Sequence, residues 1–208
     1  MRLTNINYNP ITQLNINSQA FTDLADIALS LDYSIKTIRE LDMNGKNAQR
    51  ETNIVAGLFD MVNGYGCQDS ELMLRLNGDI EPLLEYLRVH YGYTSVGLKS
   101  LCFIRMGANT KIYPHIDDEA KDINTAYHYC HRVHIPLVTN DKVIFTIGGE
   151  DRHLKLGEVI EIDNLTEHSV VNNGSTDRIH LLIDFYGLHG YYDVGLPEIP
   201  DEFYQIRS

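Results

Sequence analysis

The sequence has no concentration of positive charge, and this absence excludes a broad class of partner. Its 208 residues include 17 Lys and Arg against 29 Asp and Glu, which gives a formal net charge of −12 at pH 7. No block of basic residues interrupts this acidic background. Proteins that bind nucleic acid through its phosphates need a concentrated basic surface. We therefore expect no nucleic-acid partner.

Cysteine is scarce as well, and its three residues, Cys67, Cys102 and Cys130, stand far apart. An odd number without a C-x-x-C pair indicates neither a disulfide framework nor a zinc knuckle, so a reducing compartment is expected. No apolar run approaches the ~20 residues that a membrane span requires. The polar first residues also lack the apolar core of a signal peptide. We expect a cytoplasmic protein without a membrane partner, and nothing in the sequence specifies an oligomeric state.

Internal repeats and low-complexity linkers are also missing, and the patterning of the chain changes once, near residue 93. The length and the 43% of hydrophobic residues predict one core, in one domain or in a domain with a helical annex. Helix-like patterns dominate residues 1–93. They predict a helix capped by Ser18 or Thr22, a second over Ile54–Met61, and a third over Ile80–Leu87 with Pro82 near its start.

Residues 94–208 instead contain short stretches of β-branched and aromatic residues, a pattern typical of strands. The predicted strands are Val96–Met106, Lys111–Ile116, Val133–Val138, Val143–Ile147, His153–Leu156, Val159–Ile162, Ser169–Val171 and Arg178–Tyr186. Turn signals such as Gly148-Gly149 separate them, without helical patterns between. Strands with this hairpin spacing predict a mainly β protein, an antiparallel sandwich or jelly roll, with helices at its N-terminal end.

Two histidines and a carboxylate are the candidate metal ligands. His115 and Asp117 are two residues apart at the end of a predicted strand, so their side chains share one face. His168 follows after 52 intervening residues, a distance that suits a sheet folding back on itself. Short H-x-D strings are common, but the full set can cap one face of Fe(II) and leave the other open to a chelating cosubstrate and dioxygen. The spacing therefore predicts a non-heme iron oxygenase.

The strand that begins at Arg178 strengthens this prediction. Strand side chains alternate between two faces. One face carries Ile179, Leu181 and Ile183, which we expect the N-terminal helices to cover, and the other carries Arg178, His180 and Leu182, which would point into the barrel. An arginine inside a barrel needs an anionic partner, because an unpaired buried charge is costly. A bound dicarboxylate would provide that partner.

Arg132 and His134 form a second polar pair on one face of a predicted strand. A guanidinium fork and an imidazole donor are together well suited to a carboxylate near the metal. Taken singly, a strand-edge arginine and a hydrogen-bonded core histidine would be the ordinary interpretations. Their position between the two metal histidines favours a role in the site.

From about Leu101 to Gly187, the chain resembles the aspartyl/asparaginyl β-hydroxylases, which are Fe(II)- and 2-oxoglutarate-dependent oxygenases on a double-stranded β-helix. The matching features are P-H-I-D at His115, Arg132-x-His134, the strand Gly157–Asp163, Glu167-His168-Ser-Val, and Arg178 followed by an apolar strand that ends in Asp184. The spacing from His168 to Arg178 is similar to the family's pattern. The resemblance implies a jelly-roll catalytic core within residues 94–208.

The resemblance also implies a role for each matched residue. His115 and His168 would bind iron, and Asp117 would complete the triad, although some members of the family lack this carboxylate. Arg178 would clamp the distal carboxylate of 2-oxoglutarate. Arg132 and His134 would lie near its metal-proximal end. The implied reaction hydroxylates an unactivated C–H bond and releases succinate and CO2.

The substrate is left open between two classes, an Asp- or Asn-type side chain in a peptide or protein and a free amino acid such as proline. Arg105 or Lys111 could hold the carboxylate of a free amino acid, and Tyr113, Tyr127 and Tyr129 could line the pocket. Residues 1–93 are expected to pack on the barrel and to take part in substrate selection. The alternatives are a cupin-like metalloprotein that uses His115, Glu119 and His168 without 2-oxoglutarate, and a non-catalytic small-molecule binding module.

Overall fold

Two antiparallel sheets form the framework of the described chain. The computed structural model describes residues 6–33, 52–59, 67–68, 70–117 and 130–188. Its strands are β1 (Tyr8–Gln13), β2 (Thr52–Phe59), β3 (Cys67–Gln68), β4 (Ser95–Met106), β5 (Thr110–His115), β6 (His131–Val138), β7 (Val143–Ile147), β8 (Glu150–Arg152), β9 (Glu158–Ile162), β10 (His168–Asn172) and β11 (Arg178–Leu188). Its helices are α1 (Gln19–Ser30) and α2 (Ser70–His90).

The strands are ordered as expected for a jelly roll. A seven-stranded sheet has the order β1-β9-β6-β11-β4-β2-β3, and a four-stranded sheet has the order β5-β10-β7-β8. The strand pairs of both sheets are antiparallel. The predicted fold class, mainly β with N-terminal helices in a jelly roll or double-stranded β-helix, is confirmed.

Strand alternation divides the core into two layers, as the sequence of β11 predicts. Ile179, Leu181 and Ile183 are buried in one cluster with Phe21 and Leu24 of α1, so they face the helices. A second cluster lies between the sheets and joins Ile160 and Ile162 of β9 to Val143, Phe145 and Ile147 of β7 and to Val170 of β10. Each fully buried side chain of this size contributes about 1.5–3 kcal/mol of hydrophobic stabilisation. The large sheet is therefore covered on both faces, and polar groups between the sheets are shielded from water.

The helices cover the outer face of the large sheet. Ser18 caps α1, since its side chain accepts a hydrogen bond of 3.2 Å from the backbone N–H of Phe21. Helix α2 buries one stripe at helical spacing, formed by Leu72, Leu76, Ile80, Leu83 and Leu87. Neither helix of the described chain combines the length and apolarity needed to cross a membrane.

Three predicted elements were wrong. The prediction of a helix over Ile54–Met61 fails because residues 54–59 form part of β2, which pairs with β4; residues 60 and 61 lie outside the described chain. Pro82 lies inside α2 rather than near its start, because the buried stripe extends upstream to Leu72. The strand expected at His153–Leu156 comes earlier, as β8, because Gly148 and Gly149 both adopt positive φ and close a tight β7–β8 hairpin.

Candidate metal centre

The structure brings His115, Asp117 and His168 together. One potential ligand atom from each lies within 4.8 Å of the others. The cause is the register of β5 and β10, which makes His115 and His168 cross-strand partners with ring centroids 4.4 Å apart. Nε2 of His115 is 3.5 Å from Oδ1 of Asp117, and Nε2 of His168 is 3.7 Å from Oδ2. Polar atoms of all three side chains therefore converge on one point.

Backbone carbonyls orient both imidazoles. Nδ1 of His115 lies 2.7 Å from the carbonyl oxygen of Tyr113, and Nδ1 of His168 lies 2.9 Å from that of Thr166. A carbonyl only accepts, so each Nδ1 carries the proton and each Nε2 keeps its lone pair. Histidine ligands in metal sites are oriented by hydrogen bonds of this kind. The two Nε2 atoms are thus prepared to bind a metal.

A turn before β10 fixes this arrangement. The carboxylate of Asp163 accepts hydrogen bonds from the backbone of Leu165 at 3.1 Å and from the hydroxyl of Thr166 at 2.7 Å. The turn thereby presents the Thr166 carbonyl to His168. The backbone N–H of Asp117 donates to the carbonyl of Asn164 in the same turn, at 3.2 Å. One turn therefore positions both the second histidine and the carboxylate.

Arg178 lies between the sheets with part of its hydrogen-bonding capacity unused. It is 1% exposed, and its Nη2 donates to Nδ1 of His180 at 2.8 Å. Its Nε and Nη1 have no hydrogen-bond partner among the described residues. The guanidinium carbon lies 5.0 Å from the ring centroid of Phe145. Burial lowers the pKa of Arg178 from 12.5 to about 9, so it remains a cation at neutral pH. A buried cation with free donors matches a carboxylate ligand.

His134 and His180 are neutral neighbours of this cation. Burial lowers the pKa of each well below 6.5, and the charge of Arg178 lowers it further. His180 accepts at Nδ1, so its proton is on Nε2, which has no hydrogen-bond partner among the residues described. The electrostatic influence of both Arg178 and His168 reaches His134. His134 is therefore close enough to both the arginine and the metal cluster to interact with their charges.

Arg132 has partners that the sequence did not predict. Its Nε and Nη2 donate to the two carboxylate oxygens of Asp184, each at 2.7 Å, and its Nη1 forms an ion pair with Oδ2 of Asp117. Arg132 therefore lies beside the metal cluster, as expected, but its guanidinium is engaged by two carboxylates. In the sequence, Asp184 was named only as the end of a strand. It lies an even number of residues after Arg178 on β11, so strand alternation already placed both side chains on the same inward face.

The weaker substrate-binding candidates are not brought to this site. Arg105 lies on the helix-covered side of β4, where its Nη2 is 2.6 Å from Asp177 and its guanidinium carbon is 5.8 Å from the Tyr33 ring centroid. The reason is alternation, since Arg105 is the register partner of Ile179, which faces the helices. Tyr113 is 40% exposed and lies beside Lys111. The predictions for Tyr127, Tyr129 and Glu119 fall outside the described residues.

Comparisons with known proteins place these features in a family. The family model for aspartyl/asparaginyl β-hydroxylases matches residues 83–187, just over half of the chain, and this span contains the whole cluster and Arg178. A curated relative, the L-proline cis-4-hydroxylase of Rhizobium meliloti (strain 1021), is 29% identical over an alignment of 132 positions, which covers 59% of this chain and 45% of the relative. The chain thus spans slightly less than half the length of that relative.

Solved structures share the fold. An oxidoreductase of the 2OG-Fe(II) oxygenase family from Burkholderia pseudomallei matches with a TM-score of 0.57 and 17% identity, over 81% of each chain. A prolyl hydroxylase from Trichoplax adhaerens, solved with a peptide fragment of the hypoxia inducible factor, matches with a TM-score of 0.54 and 14% identity, over 87% of this chain and 84% of that one. At these identities the solved structures show a shared fold only. The family to which the chain is related is shown by the family model. The chain belongs to the aspartyl/asparaginyl β-hydroxylase family.

Proposed function

We propose that the protein is an Fe(II)- and 2-oxoglutarate-dependent dioxygenase that hydroxylates an unactivated C–H bond of an amino acid. The observation that carries the proposal is the pairing of two sites inside one jelly roll. A convergent His-Asp-His cluster lies at one position, and the buried cation Arg178, with two unused donor atoms, lies at another. His134 is within electrostatic reach of both. The family match and the fold of the related oxygenases support the same reading.

The donor set of the cluster fits Fe(II). Two neutral imidazoles and one carboxylate are typical of non-heme Fe(II) oxygenases, which keep further coordination positions open. His115, Asp117 and His168 would hold the metal in this protein. Both imidazoles already present Nε2, because their Nδ1 atoms are bound to backbone carbonyls. No rearrangement of the rings is needed before binding.

The surroundings of Arg178 fit a dicarboxylate. Its Nε and Nη1 can donate to one carboxylate, and a charge-assisted fork of this kind is a strong and specific contact. Phe145 packs against the guanidinium and against the ring of His180, which lies nearly parallel to it. Arg178 would therefore bind the distal carboxylate of 2-oxoglutarate, and His134 would lie toward its metal-proximal end. Arg132 lies beside the cluster, where it forms an ion pair with Asp117.

The protein's own contribution is positioning and exclusion of water. When bound, Fe(II) and 2-oxoglutarate supply the oxidative chemistry, in which dioxygen converts 2-oxoglutarate to succinate and CO2 and one oxygen atom enters the substrate C–H bond. Cys102, Leu182 and Ile104 pack together between the sheets and keep the interior apolar. A water-poor interior strengthens the attraction between Arg178 and a bound carboxylate.

Two substrate classes remain in the proposal. The Rhizobium meliloti relative is an L-proline cis-4-hydroxylase, and the Trichoplax adhaerens prolyl hydroxylase is in complex with a peptide fragment. The substrate is accordingly an amino acid, either free or within a peptide or protein. We further propose that residues 1–93 take part in selecting it. In support, α1 and α2 pack on the large sheet, and the same part of the chain adds β1, β2 and β3 to that sheet.

The orphaned donors of Arg178 also weigh against a cupin-like metalloprotein. Such a protein would work without 2-oxoglutarate and would not need a buried cation in the barrel, and burying it without a partner is unfavourable. If that alternative held, removing the charge of Arg178 would leave metal or ligand binding intact, whereas a non-catalytic binding module would take up no iron and release no succinate. The oxygenase reading requires that charge for turnover.

The proposal is tested by incubating the full chain with Fe(II), ascorbate and 2-oxoglutarate against a panel of free amino acids and of peptides that contain proline, aspartate or asparagine. The expected result is substrate-dependent succinate release together with a mass gain of one oxygen atom in a panel member. His168→Ala serves as the inactive control. Tight metal binding without succinate release for any substrate would favour the cupin-like alternative instead.

A further inference from the structure

We propose that Tyr8 of β1 is a positioning residue that fixes the distance between the two sheets at the proposed site. The length of the 2-oxo diacid that the site accepts depends on this distance. The inference rests on the function proposed above and extends it. It assigns the choice between diacids of different length to a residue that itself touches neither the metal cluster nor Arg178.

The proposed metal ligands and the buried cation lie on opposite sheets. His115 and His168 belong to β5 and β10 of the four-stranded sheet, whereas Arg178 belongs to β11 of the seven-stranded sheet. A dicarboxylate that binds the metal at one end and Arg178 at the other must cross the space between the sheets. The chain length that fits therefore depends on how far apart the sheets are held.

Tyr8 crosses the same space. Its backbone pairs with Ile162 of β9 in the seven-stranded sheet. Its hydroxyl lies 3.0 Å from the carbonyl oxygen of Phe145 in β7 and 3.1 Å from that of Glu150 in β8, and both strands belong to the four-stranded sheet. The hydroxyl is the donor in these contacts, because a carbonyl only accepts. Tyr8 is 6% exposed, and its ring belongs to the apolar cluster between the sheets. A rigid ring that is held at both ends acts as a spacer.

The hydroxyl of Tyr8 reaches the strand that forms a wall of the proposed cosubstrate pocket. The ring centroid of Phe145 lies 5.0 Å from the guanidinium carbon of Arg178. Phe145 is also the register partner of Val170 on β10, two residues after His168. A shift of β7 toward or away from the large sheet would therefore move both the pocket wall and the strand that carries the second metal histidine.

Strand β1 also holds the turn that leads to His168. The backbone N–H of Asp163 donates to the carbonyl of Asn7 at 3.1 Å, directly beyond the pairing of Tyr8 with Ile162. The chain passes from the large sheet to the small sheet at this turn. β1 lies outside residues 83–187, which the family model matches. The N-terminal part of the chain therefore supplies this restraint on the spacing.

The test measures the binding of 2-oxo diacids to the full-length protein, loaded with Co(II) in place of Fe(II) and kept free of dioxygen so that no turnover occurs. Calorimetric titration gives the Kd values of oxaloacetate, 2-oxoglutarate and 2-oxoadipate, which differ in length by one carbon atom at each step. Tyr8→Phe keeps the ring and removes the hydroxyl. We expect the preference for 2-oxoglutarate over the shorter and the longer diacid to fall by about 5–10-fold, because a buried hydrogen bond that holds the sheets together is lost.

The matched control is Tyr33→Phe on the helix-covered side of the large sheet. The hydroxyl of Tyr33 donates to the carbonyl of Ala28 at 2.9 Å, and the residue is 7% exposed. This variant loses an equivalent buried hydrogen bond away from the proposed site, so its Kd ratios should stay at wild-type values. A second variant, Tyr8→Met, covers the case in which packing of the ring alone keeps the spacing. It should reduce the preference at least as far as Tyr8→Phe does.

The outcomes separate the inference from the proposed function. Wild-type Kd ratios in folded Tyr8→Phe and Tyr8→Met would overturn the role of Tyr8 and leave the proposed function in place. An equal change in Tyr33→Phe would assign the effect to a general loss of stability, and this would overturn the role of Tyr8 as well. Failure of the wild-type protein to bind Co(II) or any of the three diacids would refute the proposed function, and the inference with it.

Discussion

Arg178 and His180 lie two residues apart on the inner face of β11, and Nη2 of the arginine donates a hydrogen bond of 2.8 Å to Nδ1 of the histidine. This contact sets the tautomer of His180 and the orientation of the guanidinium. Phe145 lies against both groups. The arginine is therefore held before any ligand arrives, which reduces the entropy lost when a dicarboxylate binds.

Removing the charge of Arg178 should weaken 2-oxoglutarate binding selectively. Arg178→Met keeps much of the side-chain volume and removes the cation. Loss of one partner from a buried charge pair costs about 2–5 kcal/mol, which is about a 30-fold rise or more in the KM for 2-oxoglutarate. Co(II) affinity should not change. Succinate release measured against 2-oxoglutarate concentration gives the KM, with Arg105→Met as the matched control. An unaltered KM would remove the clamp from the proposed site.

Replacing His180 should produce a smaller effect of the same kind. His180→Leu removes the acceptor that holds Nη2 of Arg178, while keeping an apolar side chain against Phe145. Hydrogen bonds to charged groups contribute about 1.5–3 kcal/mol, so we expect about a tenfold higher KM for 2-oxoglutarate with a nearly unchanged kcat. His180→Gln, which retains an acceptor, should restore part of the affinity. Equal KM values for the Leu and Gln variants would argue against a positioning role.

Much of this site follows from alternation along single strands. The sequence of β11 correctly predicted that Ile179, Leu181 and Ile183 face the helices and that Arg178 points inward. The H-x-D spacing likewise predicted that two candidate ligands share a face, because alternation is a local property. The distant His168 could be added only through a pattern of several motifs.

Contacts between side chains on neighbouring strands could not be predicted from the sequence. The fork between Arg132 and Asp184 joins residues 52 positions apart, and it depends on the register of two strands that no local pattern specifies. The same limit explains why the segment that forms β2 was predicted to be a helix. Its apolar residues suit a helix or a strand equally well, and pairing with β4 decides the outcome.

Whether Asp117 is required as a metal ligand can be tested directly. Asp117→Ala removes one of three donors and leaves Arg132 paired with Asp184, so the variant should fold. We expect Co(II) affinity to fall by about 100-fold or more, since an anionic ligand is lost. His115→Ala should have an effect at least as large. Titration with Co(II) measures both variants, and Asp141→Ala, at an exposed carboxylate, is the control. Full metal affinity in Asp117→Ala would show that two histidines suffice.

The buried histidines should make stability depend on pH. Burial and the charge of Arg178 lower the pKa of His134 and His180 well below 6.5 in the folded state. The unfolded chain binds a proton on each near pH 6.5, so below that pH the unfolded state gains protons and the free energy of unfolding falls. Each histidine can contribute a slope of up to about 1.4 kcal/mol per pH unit.

Urea denaturation of metal-free protein between about pH 7.5 and 5.5 measures this slope. His180→Leu should remove the contribution of one histidine from the slope. The control is His90→Asn at an exposed position, which should leave the slope at the wild-type value. Comparing variant with wild type removes the contributions of His115 and His168, which are common to both. An identical slope in His180→Leu would mean that His180 binds protons equally in the folded and unfolded states, which would contradict the lowered pKa.

A last prediction concerns the buried network around Glu161, on the helix-facing side of β9. Glu161 accepts hydrogen bonds from Tyr91 at 2.7 Å and Asn9 at 3.0 Å, and Nδ1 of His131 lies 2.7 Å from its other oxygen. Burial raises the pKa of Glu161, but the interactions with His131 and the hydrogen bonds from Tyr91 and Asn9 outweigh it, and the pKa lies below 4.5. Its stabilising contribution is therefore present above pH 4.5 and is lost as the pH falls through the lowered value.

Glu161→Gln should lower the free energy of unfolding at pH 7 by about 1–3 kcal/mol, because a neutral amide is a weaker acceptor for three buried donors. Wild type loses the stabilisation from ionised Glu161 as the pH falls, and the variant has no such stabilisation to lose. The unfolding free energies of the two proteins should therefore converge as the pH falls below 4.5. Urea denaturation over this range measures both effects. Co(II) affinity should stay at the wild-type value, because the network and the metal cluster lie on opposite faces of the large sheet. A drop in affinity without a drop in stability would instead connect the network to the metal centre.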